Sequence, residues 1–124
     1  MSTDKSSAVD RKFSRELSSG ITSLALLSIL NDADEAMYGY KIAKEMSAGK
    51  DNFQLIKQGG LYPVLKSLEK NELLESIVEP SVSGPPRRYY TITTSGREAL
   101  IRWRILWSKT GDLMKIILGG SVHE

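Results

Sequence analysis

A mainly α-helical domain with one small β-hairpin and a long terminal helix is the fold class this sequence predicts. Apolar residues recur at three- and four-residue spacing, the helical period, in four separate stretches. Between the third and fourth lie two runs rich in β-branched and aromatic residues, LLESIV and RYYTIT, joined by the turn formers EPSVSGPP. With 124 residues, 40% of them apolar, there is enough for one core and little for a second, so a single domain must hold helices and hairpin together.

Residues 1–12 are polar and read as a mobile arm. From there Phe13, Leu17, Ile21, Leu24, Leu27 and Leu30 share one face and predict a first helix that is largely buried. Asn31 to Met37 is an acidic break, and a short second helix is expected from about Tyr38 to Met46, with Ile42 and Met46 on one face. Ala48 to Asn52, around Gly49, forms the next connection. A third helix should begin near Gly59 or Gly60, because Pro63 lacks an N–H and suits a first turn. Leu61, Leu65 and Leu68 are its buried stripe, and Tyr62, Lys66, Ser67 and Lys70 face outward or sideways. Asn71 is suited to a left-handed residue ending it.

The hairpin tip should project beyond its paired strands, since Pro80, Pro85 and Pro86 cannot donate ladder hydrogen bonds. The last helix starts near Thr93 or Ser95, either of which can cap it, and runs to about Leu118. Along it Leu100, Trp103, Trp107, Thr110, Met114 and Ile117 alternate in steps of three and four, while Leu106 and Leu113 widen the stripe. A lone terminal helix should not leave so much apolar surface to water, so a second copy of the chain is the expected cover, with these eight residues as its interface. The domain plan is thus an arm over 1–12, a body over 13–93, a dimerisation helix over 94–118 and a tail over 119–124.

Three helices followed by a hairpin is the order of a winged helix-turn-helix, in which a helix enters the major groove of DNA and a hairpin beside it reaches the backbone. Net charge is only +2, but its distribution is uneven. Lys41, Lys44, Lys50, Lys57, Lys66 and Lys70 outnumber the acids between positions 41 and 70, and Arg87 and Arg88 stand together on the hairpin. The expected contacts to double-stranded DNA are Lys57, Gln58, Tyr62 and Lys66 around the third helix, Arg87 and Arg88 on the wing, and Lys44 and Tyr38 at the second helix. Tyr62 can equally pack against the wing, and Tyr38 with Tyr40 can staple neighbouring helices. Adjacent arginines on a strand point to opposite faces, so at most one of Arg87 and Arg88 is well aimed.

Other classes fit poorly. There is one histidine, His123, no cysteine, and no carboxylate and histidine set at ligand spacing, so neither enzyme, metal nor cofactor is expected. Gly59-Gly60 lacks the lysine and hydroxyl of a phosphate-binding loop. No apolar run approaches the roughly 18 residues of a membrane span, no secretory h-region is present, and a cytoplasmic location is expected. A dimeric winged-helix module that binds protein instead of DNA is the alternative.

The motifs sharpen this reading, for the sequence resembles the PadR family of transcriptional regulators. Tyr38-Gly39-Tyr40-Lys41-Ile42 resembles the family's YGY-x-I element, and Gly59-x-Leu61-Tyr62-Pro63 with Leu65, Leu68 and Glu69 resembles its recognition helix. Gly84-x-Pro86-Arg87-Arg88-Tyr89-Tyr90 with Thr93 and Gly96-Arg97 resembles its wing and the start of its last helix. Gly60 stands where the family more often has Ser or Thr, and Asn71-Glu72-Leu73-Leu74 replaces a D-G-L-I-like stretch. The short C-terminal part resembles the branch with a single dimerisation helix. A homodimeric repressor on a near-palindromic operator is the expected assembly; the resemblance itself implies fold and activity class. It also implies a pocket for a small aromatic effector at Trp103 and Trp107, Trp107 being the better match by position.

Overall fold

The computed structural model describes residues 3–46 and 58–119, with side chains over 7–46 and 60–119. Four helices and three strands follow in the order α1 (Thr3–Asp32), β1 (Met37–Tyr38), α2 (Gly39–Met46), α3 (Gln58–Lys70), β2 (Leu74–Glu79), β3 (Arg87–Ile92) and α4 (Thr94–Gly119). The expected mainly helical winged fold is present, with a third strand added. In the antiparallel sheet β3 lies between β1 and β2, pairing Met37 with Tyr90 on one side and Leu74 through Glu79 with Ile92 through Arg87 on the other.

One core joins every element. Leu26, Leu27 and Leu30 of α1 meet Ile42 of α2 and the Leu61, Leu65, Leu68 stripe of α3, and Leu74, Ile92 and Leu100 close it from the sheet and α4. Each fully buried leucine or isoleucine contributes about 1.5–3 kcal/mol of transfer free energy. Leu100, expected on the dimer seam, is 2% exposed and belongs to this core. It lies at the start of α4, where the helix still packs on the body, and the available seam begins after it.

Two expectations about α1 are corrected. The helix is already formed at Thr3, so residues 3–12 continue it and are not a separate arm. Nor is it largely buried: its buried residues begin at Thr22, whereas Val9, Phe13 and Leu17 are exposed. The apolar period therefore marks a continuous face of which one chain covers only the second half.

The end of α3 also differs from expectation. Asn71 stays on the helical side, its side-chain amide donating to the Ser67 carbonyl at 2.8 Å, and Glu72 takes the left-handed conformation at φ 65°. The Glu72 N–H then donates to Glu69 O and the Leu73 N–H to Leu68 O, both at 2.9 Å, the paired bonds of a Schellman turn. Pro63 lies in the helix interior, five residues after its start at Gln58, with its ring exposed. Its absent N–H would have donated to residue 59, so only one bond near the helix start is missing.

Thr93 knits three elements at the wing root. Its hydroxyl donates to Glu72 O at 2.8 Å and accepts from the Gly96 N–H at 2.9 Å, which makes Thr93, of the two expected caps, the cap of α4. Gly96 is required beside it, because a Cβ there would collide with the Leu73 carbonyl. The three prolines lie outside both strands as expected, and Gly84 turns the hairpin tip at φ 110°.

Candidate nucleic-acid interface

Burial of Leu61, Leu65 and Leu68 turns the opposite side of α3 to solvent. Tyr62 and Lys66, one helical turn apart, stand on that outer side, and both are exposed. The Tyr62 ring lies on Gly39, where an added Cβ would stand 2.6 Å from Cε1. The small residue of YGY is thus the seat for the tyrosine of LYP, which keeps the phenol half exposed beside Lys66. Gly60, early in the same helix, faces open space. Gln58 opens the helix, but its side chain and all of Lys57 lie outside the described residues.

Strand alternation sends Arg87 and Arg88 to opposite faces, as expected. The Arg87 guanidinium carbon lies 4.4 Å from the centre of the Tyr38 ring. Tyr38 in turn stacks with Tyr40 at 6.4 Å and meets Tyr89 edge-on at 5.4 Å, and the Lys44 ammonium stands 5.8 Å from the centre of the Tyr40 ring. A cation, two aromatic rings and a second cation therefore run in a row from β3 to α2. The Arg87 guanidinium sits over the Tyr38 ring and has no hydrogen-bond acceptor among the described residues, so its N–H groups are available to phosphate. Tyr38, expected as a DNA contact, is half-buried and acts here as the platform for Arg87.

Arg88 is differently engaged. Its Nη1 donates to Ser76 Oγ at 2.9 Å, and Ser76 Oγ donates to Glu69 Oε2 at 2.6 Å, which joins β3 through β2 to the last turn of α3. Tyr90 lies beside this relay, and burial first, then the Glu69 carboxylate, pushes its phenol above the ordinary value, with Arg88 opposing. Ser76 is not among the expected site residues and Glu69 is expected only as part of the recognition-helix motif, because nothing in the sequence joins them until the strand register places them together.

A groove of about 520 Å³ runs between α1 and α4, lined on one side by Leu17, Ile21 and Leu24 and on the other by Trp103, Leu106 and Trp107. Trp103 is half-buried against the core, whereas Trp107 is 54% exposed. Past them Leu113, Met114 and Ile117 are exposed, and Thr110 with them. The Arg104 guanidinium ties the two helices near this groove, donating to Ser28 Oγ at 3.3 Å.

A helical body, a projecting hairpin and a cationic outer face on the third helix define a winged-helix transcriptional regulator, a class that binds DNA. Residues 26–102 match the transcriptional regulator PadR-like family, and the chain belongs to it. It is 32% identical over 83 residues to an uncharacterised protein of Lysinibacillus sphaericus, across 67% of this chain and 76% of that one. It is similar to a PadR family transcription regulator from Clostridium difficile, at 30% identity and a TM-score of 0.63 over 78% of this chain and 97% of that one. It is likewise similar to a transcriptional regulator from Clostridium thermocellum, at 27% identity and a TM-score of 0.69 over 81% and 92%. Regulators of this family commonly act as dimers. Among the described residues no helix is long and apolar enough to cross a membrane.

Proposed function

We propose that this chain is a homodimeric, cytoplasmic repressor that binds a near-palindromic operator with one α3 per half-site. Tyr62 and Lys66 face the major groove, and Arg87, held on Tyr38, meets the flanking phosphates together with Lys44 at α2. What supports the reading is that Tyr62 of α3 rests on Gly39, between Tyr38 and Tyr40, whose rings carry Arg87 and Lys44, so recognition helix, wing and α2 meet around one point. Lys57 and Gln58, close to Tyr62 in sequence, are taken as further DNA contacts.

Dimerisation follows from exposure. Leu106, Trp107, Leu113, Met114 and Ile117 are each at least 40% exposed, and Val9, Phe13 and Leu17 on α1 add to the apolar surface. A second copy covering the α4 seam would remove that surface from water and hold two recognition helices at a fixed separation. The groove beside Trp103 and Trp107 has the size and apolar lining to take a flat aromatic effector, and its occupancy would alter how α4 sits on α1 and hence the spacing of the two helices.

Protection mapping on DNA upstream of the gene tests the proposal. Two protected half-sites about one helical turn apart, 10–10.5 base pairs or a multiple, are expected. A single protected patch without two-fold symmetry would refute the dimeric reading. For the groove, an aromatic compound that quenches tryptophan fluorescence should release the operator from the wild-type protein and fail to do so with Trp107→Ala. Release of that variant by the same compound would remove Trp107 from the effector site.

A further inference from the structure

We infer that Arg88 is a positioning residue for DNA binding: through Ser76 and Glu69 it sets the angle between the wing and the recognition helix, and it does not itself touch phosphate. This rests on the DNA-binding reading and adds a division of labour between two adjacent arginines. The relay runs guanidinium to hydroxyl to carboxylate, at 2.9 and 2.6 Å, so both of its bonds involve a charged group. It ends on Glu69, in the last turn of α3, where the helix dipole adds partial negative charge and attracts a cation.

What the relay holds is otherwise loosely held. From Ile77 onward every residue of β2 is exposed on whichever face it lies, and Arg87 and Arg88 at the start of β3 are exposed as well. Among the described residues no buried side chain lies in this part of the hairpin, which is tied to the body only through β3, by the pairing of Tyr38 with Tyr89 and the contact of Arg87 with Tyr38. Ser76 is the last point along β2 where the wing is tied to α3, and Arg88 reaches it from the neighbouring strand, two positions further out, opposite Val78. Arg87 has the complementary arrangement, with its guanidinium over the Tyr38 ring and no acceptor among the described residues.

The test measures affinity of the intact protein for the upstream duplex over a range of salt, for wild type, Ser76→Ala, Glu69→Gln, Arg88→Ala and Arg87→Ala. Ser76→Ala removes no charge, and Glu69→Gln removes a negative one, which would favour DNA if electrostatics alone mattered. Both should nonetheless weaken binding, about threefold to tenfold, without changing the slope of log affinity against log salt. Arg88→Ala should do the same and add nothing on top of Ser76→Ala, whereas Arg87→Ala should reduce the slope by about 0.9 for each phosphate that the arginine neutralises in the wild type. A reduced slope for Arg88→Ala, or unchanged affinity for Ser76→Ala, would overturn the assignment. If wild type binds no duplex, the DNA reading fails by itself, and the relay is then judged by amide exchange in the free protein. Ser76→Ala should speed exchange across β2 and β3 while α1 and α4 keep their protection; unchanged exchange in the wing would overturn the relay.

Discussion

Glu72 occupies a conformation in which an L-residue is disfavoured by about 1–2 kcal/mol, and only its backbone is used there, in the Schellman bonds and in accepting from Thr93. Glu72→Gly should therefore raise stability by about 1 kcal/mol in urea unfolding, despite the added freedom of the unfolded chain. Gly39 makes the opposite case, since a methyl group at 2.6 Å from the Tyr62 ring forces the ring to move. Gly39→Ala should weaken DNA binding through Tyr62, measurable as a lower operator affinity at unchanged dimer content. Tyr90 is 8% exposed, and its burial raises the phenol above 10.0, the usual value. The folded state thus favours the neutral form. That stabilisation is present below the unfolded value and lost as pH rises through the raised folded one, so Tyr90→Phe should flatten the alkaline loss of stability.

At the scale of elements, four helices and two long strands were legible because their periods are set by burial against one core. Three features were hidden for physical reasons. β1 is two residues long and exists only because β3 offers it an edge, so no alternation in the sequence can reveal it. The apolar face of α1 is continuous, and nothing in its period says where one chain stops covering it. Asn71 has the better intrinsic claim to the left-handed turn, but its side-chain amide donates a hydrogen bond back to the Ser67 carbonyl, and the left-handed residue is Glu72. Of the candidate site, the outward pair Tyr62 and Lys66 and the opposed arginines followed from spacing, whereas the partners of those arginines needed the register. Thr93 joins the end of α3 to the start of α4 with two side-chain bonds, so Thr93→Ala should cost about 1–2 kcal/mol, read by thermal unfolding.

The whole molecule divides into a body that buries its own apolar residues and a helix that does not. The family match ends at residue 102, and the exposed seam of α4 lies beyond it, so pairing is argued from this chain's own surface. Met114→Glu places a charge in that seam and far from the core of the body. It should shift sedimentation from dimer to monomer with little change in helix content, and a variant that stays dimeric would place the interface elsewhere. Pairing doubles the number of phosphates the protein can neutralise. With Lys44 and Arg87 of each protomer on phosphates, log affinity for the upstream duplex should fall against log salt with a slope of about −4. That slope, measured on the intact protein, is the decisive quantity for DNA binding by a dimer: a steep fall of this size supports two clamps on one operator, and absence of binding at low salt, or an affinity indifferent to salt, would contradict it.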